Sequence, residues 1–130
     1  MVLEEAEKYF NEGLDKCERD DYLGAIDRFT KAIEIEPNHA DAYCNRGNAK
    51  AVLKQYQEAI ADYDEAIQID KNLVKAYYNR GIAKVALKQY PEAITDYNKA
   101  IRIDPNYTKA YCNRGNAKAV LKQYQESIAD

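Results

Sequence analysis

Apolar residues along the chain recur at helical spacing, in blocks divided by short polar segments. Between positions 40 and 73, Tyr43, Gly47, Ala51 and Leu53 form one small-and-large apolar face, and Ala59, Ile60, Tyr63, Ala66, Ile67 and Ile69 form a second. The Lys-Gln-Tyr segment between them predicts a turn, so the stretch reads as two helices joined in a hairpin. The pattern then repeats every 34 residues. AYCNRGNAKAVLKQYQEAIAD at 42–62 returns at 110–130 with one change, Ala59 to Ser127, and AYYNRGIAKVALKQYPEAITD at 76–96 lies midway. A fixed period of this length predicts equivalent small units, 6–39, 40–73, 74–107 and 108–130, in one array where each unit packs on its neighbours.

Aligned on that period, the sequence shows columns with packing meaning. Glycine recurs at Gly13, Gly47, Gly81 and Gly115, each four residues after a tyrosine (Tyr9, Tyr43, Tyr77, Tyr111). A second tyrosine column (Tyr22, Tyr56, Tyr90, Tyr124) precedes a small residue (Ala25, Ala59, Ala93, Ser127), then Phe29, Tyr63 and Tyr97, then Ala32, Ala66 and Ala100. Small residues let paired helices approach and the rings fill the wider gaps, so the aromatic stripe is packing rather than a ligand cage. Only Tyr78 and Tyr107 fall outside the columns. Pro91 suits a first helical turn, whereas Pro37 and Pro105 stop second helices and Lys71 stands in their place between them. Arg46, Arg80 and Arg114 each precede an aspartate by sixteen residues (Asp62, Asp96, Asp130), and Glu12 with Arg28 reverses both signs. That joint reversal predicts an ion pair across each hairpin, contributing about 0–1 kcal/mol if exposed.

Composition narrows the function. A net charge of −3 and a pI near 5.3 give no general attraction to nucleic acid or anionic membrane. No apolar run approaches the roughly 18 residues of a membrane span, and MVLEEAEKYF lacks the basic and hydrophobic regions of a secretory signal, so the cytoplasm is expected. Cys17, Cys44 and Cys112 do not cluster and His39 is alone, which predicts reduced thiols, no metal and no cofactor. No nucleophile has a neighbouring base and no glycine loop cradles phosphate, so no enzyme site is expected.

These columns resemble the tetratricopeptide repeat, and the resemblance covers residue 6 to the end. It implies an all-α fold, an α-solenoid of antiparallel helix hairpins in a right-handed superhelix, whose concave groove is lined by the first helix of each pair and holds a peptide or partner segment. Unit one departs most, with Glu12, Asp15 and Arg19 as a solvent-facing terminal repeat would have. Carried onto this chain, the groove residues are Cys44, Asn45, Asn48, Lys75, Tyr78, Asn79, Ile82, Lys109, Cys112, Asn113 and Asn116. Its charge runs from Glu7 and Asp41 to Lys75 and Lys109, which would orient a peptide. Chaperone-binding members carry a carboxylate clamp; Asn48, Asn79 and Lys109 match it, but Cys44 and Asn113 stand where cations belong. The implied function is a non-catalytic protein-interaction scaffold. A structural or self-associating segment is the alternative, and RNA binding through a stripe of Lys50, Lys84, Lys118 and the arginines Arg46, Arg80 and Arg114 ranks below it. The fourth unit predicts a turn at its own Lys-Gln-Tyr, a short second helix, and a sticky carboxy-terminal end able to stack on another chain, as in a fragment or engineered segment.

Overall fold

Turn chemistry sets where each helix stops. A computed structural model describes residues 2–129, and every regular element in that range is an α-helix. They are α1 (Val2–Glu18), α2 (Tyr22–Ile35), α3 (Ala40–Val52), α4 (Tyr56–Ile69), α5 (Val74–Ala86), α6 (Tyr90–Ile103) and α7 (Thr108–Ala129). Between α1 and α2, α3 and α4, and α5 and α6 the chain turns through one left-handed residue: Asp20 (φ 61°), Lys54 (64°) or Lys88 (62°). The next amide closes the helix end, as Asp21, Gln55 and Gln89 N–H donate to the carbonyls of Lys16, Lys50 and Lys84 at 2.8 Å. A side chain at positive φ costs about 1–2 kcal/mol, so these turns need packing to hold them.

The second helices stop at Ile35, Ile69 and Ile103 whether or not proline follows. Asp70 Oδ1 accepts from Asn72 N–H at 3.0 Å, just as Asp104 Oδ1 accepts from Asn106 N–H at 3.1 Å. This side-chain turn makes Lys71 as good a stop as Pro105. At the starts, Asp21 caps α2 through Gly24 N–H, and the lone His39 caps α3, its Nδ1 accepting from Ala42 N–H at 3.1 Å. The imidazole also stacks on Phe10 with ring centroids 4.7 Å apart.

The chain forms two compact units, Met1–Leu73 and Val74–Asp130, divided at a repeat boundary. In the first, α1 packs on α2, α2 on α3 and α3 on α4. Its core joins Ala25, Phe29 and Ala49 to Phe10, Cys17, Tyr22 and Ile26. In the second, α6 packs on both α5 and α7, with Ala93, Tyr97 and Ala117 at the centre among Tyr78, Val85, Tyr90 and Ile94. One contact recurs in each hairpin: a Cβ on Gly13, Gly47 or Gly81 would lie 2.4, 2.8 or 2.6 Å from the ring of Phe29, Tyr63 or Tyr97. Those rings are the largest fully buried side chains described.

The fourth unit departs from expectation. Its Lys-Gln-Tyr is not a turn, because α7 runs unbroken from Thr108 to Ala129. No short second helix folds back, and Gly115 has no atom within 4 Å of a Cβ position. Without a ring seated on that glycine, nothing offsets a left-handed Lys122, and the strong helix formers around it continue the helix.

The close approach predicts opposite effects at equivalent glycines. Gly81→Ala should lower unfolding free energy by about 1–3 kcal/mol through overpacking against Tyr97, and Gly115→Ala should raise it by about 0.5–1 kcal/mol by removing helix-interior glycine. Chemical denaturation of the two variants checks both signs.

Candidate functional site

Two sets of polar side chains stand out, one between paired helices and one on the first helices of the repeats. In the first set the predicted ion pairs form. Arg46 donates from Nε and Nη2 to Asp62 Oδ2 and Oδ1 at 2.9 and 2.7 Å, and Arg80 meets Asp96 at the same distances. The reversed pair forms too, with Arg28 Nε 3.2 Å from Glu12 Oε1. The Arg114 counterpart involves Asp130, which lies outside the described residues. There Arg114 Nη1 donates to Asn98 Oδ1 at 2.9 Å, and its guanidinium lies over the Tyr111 ring.

The expected exposed-pair energy applies only to Glu12 and Arg28. Asp62 and Asp96 are 4% and 2% exposed, and each carries a second cation, Lys50 Nζ at 3.0 Å or Lys84 Nζ at 2.9 Å. Each arginine also covers a tyrosine face, Arg46 over Tyr43 and Arg80 over Tyr77. Hydrogen bonding to Asp62 raises the Arg46 pKa further, against the effect of burial. These lysines are therefore structural. Lys50 and Lys84, expected as part of a stripe for RNA, face buried carboxylates instead, so the stripe is broken.

The second set divides between the units. In the first, Cys44 is buried and so is not available to a ligand, which corrects the expectation for that position. Asn45 Nδ2 donates to its own helix at the Asp41 carbonyl, 3.0 Å away. Asn48 Oδ1 accepts from the Tyr63 hydroxyl at 2.6 Å and so positions the ring that sits on Gly47. Burial pushes the ionisation of that hydroxyl well above the usual tyrosine value.

The second unit gathers more of the predicted residues. Asn113 Nδ2 on α7 donates to Tyr78 Oη on α5 at 2.7 Å, tying two first helices together. Tyr78 packs edge-on to Tyr107 (centroids 5.0 Å, 80°) and tilted against Tyr97 at 6.0 Å. Burial raises its pKa and the Asn113 hydrogen bond partly opposes the shift. Asn113 and Asn116 line a cavity of about 180 Å³ with Val85, Tyr90, Tyr97, Ala117 and Val120. Lys75, Ile82, Lys109, Cys112 and Asn116 are exposed, and Asn79 is half-buried. Tyr107 was not among the expected site residues, although it and Tyr78 are the two tyrosines outside the columns, and that was the available signal. Tyr90 and Tyr97 were expected as packing alone, yet they also wall the cavity.

Charge separates the units as well. The first holds nine basic and seventeen acidic residues, the second ten and five. Among the described residues no group of side chains is placed to hold a metal ion, and no helix is long and apolar enough to cross a membrane.

Comparison with known families and structures gives consistent matches. The family described as TPR repeat matches residues 13–53 and 83–120, and Tetratricopeptide repeat matches 40–73. The Arabidopsis OM64 TPR domain is 31% identical over 95% of this chain and 99% of that chain, with a TM-score of 0.87. The first TPR of Spaghetti (RPAP3) bound to the HSP90 peptide SRMEEVD is 28% identical over 92% and 94%, with a TM-score of 0.90. The second TPR domain of human RPAP3, in complex with the HSP70 peptide SGPTIEEVD, is 25% identical over 91% and 98%, with a TM-score of 0.87. No curated protein matches the chain by sequence.

Two stability measurements follow from the buried groups. Asp62→Ala should cost about 3–5 kcal/mol by stranding Arg46 and Lys50, against about 1 kcal/mol or less for Glu12→Ala, as read from denaturant unfolding. Burial raises the Tyr97 pKa from 10.0 to about 12. Its hydroxyl therefore stays protonated in the folded protein where the unfolded chain has begun to ionise. Its contribution to stability is full below pH 10 and lost as pH rises toward about 12. Tyr97→Phe should flatten that decline in a pH series of thermal melts.

Proposed function

Because the chain belongs to the tetratricopeptide repeat family, we propose that it is a non-catalytic interaction scaffold that binds an extended acidic peptide on the α5–α7 face of its second unit. The observation that carries this reading is the Asn113–Tyr78 hydrogen bond between α5 and α7 at 2.7 Å. It fixes two first helices side by side, so Lys75, Ile82, Lys109 and Asn116 are presented from a rigid backing rather than from mobile loops. Lys75 and Lys109 meet carboxylates, Ile82 takes an apolar side chain, and Asn116 pairs with peptide amides. The excess of basic residues in this unit favours an anionic segment and speeds its encounter.

A free carboxy-terminus is not required. The similar domains bound to SRMEEVD and SGPTIEEVD support an acidic peptide as the ligand, but the clamp positions differ here. Cys44 is buried, and Asn113 directs its amide to Tyr78. Recognition thus rests on side-chain charge, with the cytoplasm as the accompanying compartment.

Fluorescence anisotropy with SRMEEVD in free-acid and carboxy-amide forms tests this. The two should bind within about twofold of each other, and Lys75→Ala with Lys109→Ala should weaken both about tenfold, since each exposed pair contributes up to about 1 kcal/mol. Loss of binding on amidation, or indifference to the lysine changes, would refute the reading.

A further inference from the structure

One hydroxyl in the second unit is buried without the partner that its counterpart has. In the column of Phe29, Tyr63 and Tyr97, phenylalanine has no hydroxyl, and the Tyr63 hydroxyl donates to Asn48 at 2.6 Å. For Tyr97 the residue that matches Asn48 is Ile82, which offers no acceptor. Tyr97 is 1% exposed, and none of the described residues hydrogen-bonds its hydroxyl. Among those residues, every side-chain nitrogen or oxygen wholly shut off from the surface does have a partner. The Tyr97 oxygen therefore reaches accessible space, and that space is the cavity of about 180 Å³ that Tyr97 lines.

Asn113 lines the same cavity. Its Nδ2 is committed to Tyr78, which leaves Oδ1 as an acceptor that none of the described residues uses. One donor and one acceptor thus share a space whose other walls include Val85, Tyr90 and Val120 and no charged side chain. The walls belong to α5, α6 and the side of α7 packed on α6, so the cavity is independent of whatever covers Gly115. Its rim is no more open than the matching place in the first unit: Val120 is 38% exposed, against 55% for Val52 on α3, which carries α4. A cavity of about 150 Å³ admits benzene, and this one admits a side chain of glutamine's size.

We propose that this cavity is a specificity pocket for a neutral carboxamide, the side chain of a glutamine in the bound peptide. The carboxamide oxygen accepts from the Tyr97 hydroxyl, its NH2 group donates to Asn113 Oδ1, and its methylene stem lies against Val85 and Val120. Glutamate fits badly for two reasons. No cation lines the cavity to offset burial of a carboxylate, and Asn113 Oδ1 would face a second acceptor. An apolar side chain of similar length fills the space but leaves the Tyr97 donor unpaired, which is the costlier mismatch for a site built around a hydrogen bond. The inference rests on the peptide reading above for its ligand and adds the residue type that the α5–α7 face selects.

Two experiments separate the pocket from the peptide reading. The first needs no peptide: N-acetylglutamine N-methylamide is titrated into the isotope-labelled chain and followed by amide NMR. Saturable shifts at millimolar concentration should centre on Tyr97, Asn113 and Ala117, and the glutamate analogue should produce none there. In the second, glutamine and leucine are placed in turn at the Ser, Arg, Met and Val positions of SRMEEVD and compared by anisotropy. At one position glutamine should bind about tenfold more tightly than leucine, and Tyr97→Phe should erase that preference. The variant keeps the ring, as Phe29 does in α2, so its circular dichroism should match the parent chain. Absence of saturable fragment shifts, equal shifts from the glutamate analogue, or a glutamine preference that survives Tyr97→Phe would each overturn the pocket, as would a parent peptide that binds yet gains from glutamine at no position. Failure of SRMEEVD to bind while the fragment still shifts Tyr97 would sink the peptide reading alone.

Discussion

Each hairpin depends on one close approach, an aromatic ring against the backbone of a glycine in the preceding helix. Phe29, Tyr63 and Tyr97 could not lie where they do if Gly13, Gly47 and Gly81 carried a side chain. That contact brings the helix pair together, and the other devices serve it. Asn48 fixes the Tyr63 hydroxyl, and Arg46 and Lys50 close over Asp62 beside the ring. The left-handed turn residues persist because the packing exceeds their local cost.

The charged nodes beside the rings explain why so little of the polar surface on the paired faces is free for ligands. An aspartate that is almost fully buried needs more than one cation, and a guanidinium plus an ammonium supply it. The result removes Lys50 and Lys84 from any surface stripe, whereas Lys75 on α5 and Lys109, Lys118 and Lys122 on α7 are exposed. Function is thereby separated from folding along the helix circumference: one side holds the partner helix, another is open to solvent.

Much of this was legible in the sequence. The 34-residue period, the glycine and alanine columns and the turn segments predicted the helices through α6, and the joint reversal at Glu12 and Arg28 predicted the three hairpin ion pairs that form among the described residues. The proline-free stop at Asp70 was less evident, because it depends on a side-chain turn that Asp-Lys-Asn shares with Asp-Pro-Asn. Site residues were harder to read. Asn48 and Cys44 occupy expected positions on a first helix, yet one orients a buried ring and the other is itself buried.

The clearest limit lies in the seventeen residues common to 42–58 and 110–126. The sequence alone determined that both begin as helices, with the same apolar face and the same cation pair. Only tertiary structure decided the rest. At Lys54 the chain turns back, Gly47 is covered and Cys44 is buried; at Lys122 the helix continues, Gly115 is open and Cys112 is exposed. The physical reason is that a left-handed lysine is locally unfavourable and exists only where a ring docking on the glycine offsets it. Local sequence supplies the option of a turn, and a packed neighbour selects it.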